Sequence, residues 1–166
     1  MRRVHDEAWM KQLLADEEVG HLGLADDGQP YVIPLNYAYL DDRIVIHCAT
    51  KGHKIDVVRA NGRCCFAVNR HPDRIRYHAD KRCHYRYHSV VVFGHAHYVE
   101  DAAERLQWLT RFRDYFSTRL GRTIPSELDL AKANKVGIMV IEVERLTGRK
   151  EEGADSKADL SQPLDG

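Results

Sequence analysis

The sequence predicts a mainly β fold with helices, an antiparallel six-stranded β-barrel with covering helices, and three observations carry that prediction. Six apolar, β-rich runs recur along the chain, separated by turn residues such as Asp-Asp-Gly and Asp-Asp. Only three stretches carry helical spacing, too few to cover both faces of a parallel sheet. Closing an antiparallel sheet into a barrel removes the edges that such strands would otherwise expose.

Taken in order, the elements are as follows. Asp6 is placed to cap a short helix over 7–17, where Trp9/Leu13 and Met10/Leu14 pair at i,i+4 as one apolar face. VGHLGLA (19–25), PYVIPLNYAYL (30–40) and RIVIHCA (43–49) form an antiparallel meander around their Asp-rich turns. A helix is expected over 53–60, ended by Asn61-Gly62, and RCCFAV (63–68) is then a short buried strand. Residues 70–83 lack a clean period and are heavily basic, an exposed loop whose basic character continues to 86. YRYHSVVVFGHAHYVE (85–100) is a long strand with Gly94 at a bulge or bend. Behind an Asp101 cap, Leu106, Leu109, Phe112, Tyr115 and Phe116 recur at helical spacing over 101–119. GIMVIEVERLTG (137–148) closes the fold as the last strand. Residues 1–150 thus read as one domain, and 151–166 as a polar tail with too little apolar content to order itself.

Composition excludes several function classes. Lysine plus arginine and aspartate plus glutamate both number 25 in 166 residues, so no net charge steers the whole molecule onto nucleic acid or an anionic membrane. No stretch approaches the roughly 20 apolar residues of a membrane span, and the N-terminus lacks a signal-peptide core. A soluble, cytoplasmic protein is expected. Cys48, Cys64, Cys65 and Cys83 show no C-x-x-C spacing, which fits reduced thiols, with Cys64 and Cys65 as core or interface filler. Neither G-x-G-x-x-G nor G-x-x-x-x-G-K-[ST] occurs, so a Rossmann or P-loop phosphate site is not expected. His95/His97 and His84/His88 each share a strand face, but no cysteine or carboxylate stands with them at a recognised ligand spacing, and no metal is expected. The arginines and tyrosines interleaved over 70–88 suit nucleic acid in isolation; the neutral total favours a solvated loop, or a lid beside an anionic ligand.

One junction stands out. Thr50, Lys51, Gly52, His53 and Lys54 lie where a strand gives way to a helix, so free N–H groups, the positive helix end and cationic side chains converge there. Gly52 permits close backbone approach, the Thr50 hydroxyl donates, and lysine is a compact charge against a phosphate dianion. A solvated loop before a helix is the plainer alternative. Upstream, Pro34 interrupts the β run 30–40, which a proline tolerates only at an edge or bulge, leaving backbone groups free for a ligand.

With these residues in view, the chain resembles the pyridoxamine 5′-phosphate oxidase-like FMN-binding split barrels, in particular the branch that includes nitroimidazole-resistance flavoproteins. The resemblance runs through 19–68, continues in YHSVVVFGHAHYVED (87–101) and ends with VIEVERLTGRK (140–150). It implies that Val32, Ile33, Pro34, Leu35, Asn36 and Tyr37 lie along the flavin ring. It further implies that Thr50, Lys51, Gly52, His53 and Lys54 hold the FMN phosphate, that Ser89 adds a polar contact, and that His47 lies near the ring or substrate. It also implies a homodimer with FMN in the interface. His53 stands where many members carry arginine, and the chain ends in LSQPLDG instead of the arginine-containing, substrate-binding segment of the true oxidase. The expected function is an FMN-dependent oxidoreductase passing electrons from a nicotinamide or similar donor to a small acceptor, such as a nitro compound. His47 is its candidate proton donor, a packing histidine being the alternative. A non-catalytic FMN-binding or sensing module, and a haem-binding split barrel, remain the other readings.

Overall fold

The computed structural model describes residues 2–71, 76–77, 83–84, 87–125 and 127–151. The expectations of an exposed basic loop over 70–86 and of a polar tail over 151–166 fall largely outside those residues. Alternation of apolar and polar side chains dictates most of the strands. β2 (Val19–Asp26) buries Leu22 and Leu24, β6 (Arg63–Arg70) buries Cys64, Phe66 and Val68, and β9 (Tyr87–Tyr98) buries Val90, Val92 and Ala96. Two strands break the alternation. β5 (Arg43–Cys48) buries Ile44, Val45 and Ile46 in succession, and β10 (Gly137–Glu151) buries the run from Ile138 to Ile141. Continuous apolar runs of this kind require cover on both faces. The barrel interior supplies one cover, and α3 (Ala102–Leu120) with α4 (Leu130–Ala133) supplies the other.

The main sheet runs β3 (Gln29–Asn36), β2, β6, β9, β10, β5, β4 (Ala38–Leu40), with β1 (Arg2–Val4) added to β10, and every pairing is antiparallel. Its two outermost strands, β3 and β4, are separated in sequence by Tyr37 alone. The sheet must therefore curl until its edges meet, which makes it a split barrel. The fold class is as expected, with eight strands where six were counted: the run 30–40 divides at Tyr37, and the short polar β1 carries no pattern to announce it. β7 (Arg76–Tyr77) and β8 (Cys83–His84) pair antiparallel as a separate two-stranded sheet.

Tyr37 is fully buried, packs edge-on to Phe66 at 4.9 Å, and donates its hydroxyl proton to the Leu14 carbonyl at 2.7 Å. Leu14 lies in the last turn of α1 (Glu7–Asp16), whose carbonyls have no helical partner. The seam of the barrel is thus tied to the helix that plugs it with Met10, Leu13 and Leu14. Replacing Tyr37 by phenylalanine should cost about 1 kcal/mol, read as a shift of the urea midpoint without a change of slope. Arg119 of α3 finishes the same helix end, donating to the carbonyls of Ala15 and Asp16 at 2.6 and 2.5 Å.

On the outer face, Leu109 and Phe112 of α3 cover Val45, Ile138 and Val140. The base of that helix is fixed by Arg105, which is 8% exposed and donates to the carbonyls of Ala133, Val99 and Glu100 and to Asn134 Oδ1. Gly94 of β9 faces Val143, beside a register slip in β10 between Val143 and Arg145. A Cβ at Gly94 would overlap the Glu142 carbonyl, so the bulge lies on the partner strand and the glycine admits it. Among the described residues, no helix is long and apolar enough to cross a membrane.

Candidate functional site

The strand-to-helix junction forms as expected, with α2 at His53–Ala60. Gly52, its N-cap, adopts φ 125° and ψ 167°, in the positive-φ range that favours glycine, and no side chain caps the helix. The Ile55 and Asp56 amides bond the Gly52 carbonyl at 2.8 and 3.2 Å. Helix geometry leaves the N–H groups of His53 and Lys54 without an intrahelical acceptor. Lys51, Gly52 and His53 are exposed and Thr50 and Lys54 half-buried, so the junction is an open concavity of donors at a positive helix end.

Lys54 acts electrostatically on the end of β5. Partial burial holds the His47 imidazole below its ordinary pKa, and the Lys54 charge adds to that depression. Burial pushes the Cys48 thiol up, with the Lys54 charge opposing. His47 lies on the outer side of β5 with its ring 5.0 Å from that of Phe112. A histidine with a depressed folded-state pKa stabilises the fold in its neutral form. Stability should therefore rise as pH rises from the folded-state pKa through the ordinary 6.5, and His47→Gln should flatten that part of a urea-midpoint profile.

His53 turns away from the phosphate-type cradle. Its ring lies 4.8 Å from Tyr31 of β3, and Nε2 is 3.4 Å from Asp26 Oδ2 at the end of β2. Neither partner was foreseen, because the contact depends on sheet register and the sequence showed only an Asp-Asp-Gly turn there. Along β3, the side chains of Val32, Pro34 and Asn36 are exposed, with Val32 at 62%, whereas Ile33 and Leu35 pack against the barrel core. The exposed residues make an edge ribbon that starts beside His53. Tyr37 differs from the rest of that stretch, since its side chain is wholly in the core.

Ser89 is half-buried on β9, in register with Asn69 and Arg149. The register His21 to Ala67 and Gly23 to Cys65 carries this row to Val19, which pairs with Asn36. Asp26, which marks the His53 end, is seven residues further along β2, about 23 Å at strand rise. One chain thus joins Thr50–Lys54 to the start of β3, and places Ser89 and Asn36 at the opposite end of the sheet.

Other reactive groups are quiet. Burial pushes the Cys64 thiol up to about 12, while Cys65 is exposed on the outer face. Among the described residues, no group of three or more histidine, cysteine or acidic side chains is arranged to hold a metal. Trp108 packs with the apolar cluster under α3.

A curled antiparallel sheet, a helical plug and a cationic strand-to-helix junction define a split-barrel protein. The sequence family described as pyridoxamine 5′-phosphate oxidase matches residues 6–150, and the chain belongs to that family. No curated protein matches the chain. Among solved structures, it is similar to an FAD-binding protein from Mesorhizobium loti at 27% identity and TM-score 0.67, over 90% of this chain and 96% of that one. A candidate 5-nitroimidazole antibiotic resistance protein from Bacteroides thetaiotaomicron shares the fold at 20% identity and TM-score 0.75, over 89% and 85% of the two chains. So does an FAD and heme binding protein from Mycobacterium smegmatis, at 18% identity and TM-score 0.76, over 96% and 78%.

Proposed function

We propose that the chain is a flavin-binding protein that takes FMN, acts as a cytoplasmic homodimer, and serves as an oxidoreductase between a nicotinamide-type donor and a small acceptor. The observation that carries the reading is the uncapped N-terminus of α2, with Gly52 at positive φ and Lys54 beside it, opening next to the exposed ribbon of β3. This donor set fits a phosphate dianion: amide N–H groups, a hydroxyl and a point charge, with nothing beyond the adjoining residues within 4 Å of the position a Gly52 Cβ would occupy. Val32 and Pro34 offer an apolar surface for a planar ring. Bound flavin supplies hydride and electron transfer. The residues of this chain would anchor the phosphate through Lys54 and the α2 amides, orient the ring along β3, and keep a neutral imidazole at His47 able to accept or return a proton through water.

The homodimer is supported by the same geometry. Val19 and Val32, 54% and 62% exposed, share the outer face of β2 and β3, and a second copy seated there could bring its Ser89 end to the Lys54 end of the first. The family membership and the flavin-binding names of similar structures support the cofactor class.

The test is an absorption spectrum taken after adding FMN or FAD and desalting, followed by anaerobic addition of NADH or NADPH. Retained FMN at one per chain that bleaches with donor supports the oxidoreductase, and retained flavin that stays oxidised leaves a binding module. Retention of FAD alone would move the cofactor assignment, and a haem band without flavin, or no retained chromophore, would overturn the flavin reading.

A further inference from the structure

Along one of its edges, β10 is only partly paired. Toward β5 it pairs from Gly137 to Glu142, and toward β1 from Gly148 to Lys150. Between these stretches, no strand among the described residues lies beside 143–147 on that edge. A cleft of about 620 Å³ opens there, bounded by β1, the first turns of α1 and the β4–β5 turn. That volume falls in the range of small-ligand sites, and one wall offers main-chain donors and acceptors. The cleft shares no lining residue with the Thr50–Lys54 junction or with β3, so it is separate from the proposed flavin site.

Charge is divided between the walls. On the α1 side, Glu7 and Asp42 both approach the Lys11 ammonium, at 3.1 and 2.8 Å. Two carboxylates on one cation leave a negative charge over, and the Tyr39 hydroxyl, donating to Asp42 at 2.9 Å, holds that carboxylate in place. On the strand side, Arg145 turns outward with its guanidinium over the Phe93 ring at 3.8 Å, a contact that brings no counter-charge. Val4 pairs with Gly148 on the face that meets Met10, which turns the exposed Arg3 the opposite way. Neither Arg3 nor Arg145 has a carboxylate partner among the described residues. Glu144, the remaining acid of the cleft, is already neutralised by Arg63 at 3.1 Å. Met10, Val143 and Leu146 give the cleft an apolar floor.

We propose that this cleft binds a short free peptide, of about three residues, as an extended zwitterion added to the open edge of β10. The peptide ammonium meets Glu7 and Asp42, its carboxylate meets Arg3 and Arg145, and its main chain pairs with 143–147. One apolar side chain rests on Met10 and Leu146. The slot sets the length: five residues at strand rise span about 13 Å, and three extended residues about 10 Å before their charged ends are added. A simple anion would leave the excess charge of Glu7 and Asp42 unanswered, and a neutral apolar ligand would leave both arginines without a counter-charge.

Amide-detected NMR titration of the whole protein tests the proposal with the tripeptide Ala-Leu-Ala, its N-acetyl form and its C-terminal amide. Ala-Leu-Ala should bind saturably with a Kd of about 0.1–1 mM and shift the amides of 143–147. Each blocked form should bind at least about 10-fold more weakly, having lost one charged contact. In the double variant Arg3→Gln/Arg145→Gln, the free acid and the amide should bind alike while the preference for a free ammonium persists, a pattern that a general loss of fold would not produce. The three-peptide comparison on the unmodified chain stands without that variant. Absence of saturable shifts up to about 10 mM peptide would overturn the proposal. So would equal binding of all three peptides, or shifts confined to Thr50–Lys54. Shifts of 143–147 that grow with protein concentration before any peptide is added would overturn it too, assigning the edge to a second copy.

Discussion

Lys54→Ala is expected to weaken FMN binding about 10- to 100-fold while riboflavin, which lacks the phosphate, binds as before. A hydrogen bond to a charged partner contributes about 1.5–3 kcal/mol, which spans that range. Lys54 is the half-buried cation of the junction, whereas Lys51 is exposed and more fully screened. His53, held between Tyr31 and Asp26, is poorly placed to replace it. The loss should shrink as salt rises, and titration followed by flavin fluorescence measures both ligands. Because Lys54 also depresses the His47 pKa, the substitution should move that imidazole upward, visible by NMR without any flavin. Equal losses for FMN and riboflavin would point to a damaged α2. Unchanged FMN affinity would remove the phosphate from this junction.

Gly94→Ala is expected to destabilise the fold by about 3 kcal/mol or more and lower Tm by roughly 6–12 °C. The added methyl would overlap the backbone carbonyl of Glu142 and crowd the Ile141 side chain at 3.4 Å. Neither neighbour can yield easily, for both belong to β10 where it is paired on its two sides. Gly52→Ala makes a useful contrast. That site has open space but a φ of 125°, so its cost is backbone strain of about 1–3 kcal/mol, localised at the junction. Thermal melts by circular dichroism separate the two, and a Gly94→Ala melt like that of the unmodified protein would mean that β9 and β10 part readily at the bulge.

Local signals in the sequence carried much of this architecture. Asp6 and Asp101 accept hydrogen bonds from Trp9 and Glu104 amides as helix caps should, and α2 spans the residues its pattern indicates. The division of 30–40 at Tyr37 was not legible, since the apolar character runs through it and only the meeting of the two sheet edges demands a break there. β1 escaped for the opposite reason: Arg-Arg-Val has no β signature and is a strand because β10 offers it an edge. The junction 50–54 could be read because its donors are contiguous. The partners of His53, the ring of Phe112 against His47, and the remoteness of Ser89 arise from register across several strands, which no local pattern encodes.

The single residue between β3 and β4 also bears on how the chain reaches this state. Two strands adjacent in sequence occupy opposite ends of the sheet order, so neither can find its lasting neighbour in the other. Each pairs locally instead, β3 with β2 and β4 with β5 across two-residue turns, and the two hairpins join one sheet only through pairings that close long loops, among them β10 with β5 across roughly ninety residues. Tyr37 then couples the two ends: slipping β3 by one residue along β2 would drag β4 along β5 and reverse the faces of both. Slow, high-contact-order folding with little tolerance for misregister is the kinetic counterpart of a barrel whose seam is one residue wide.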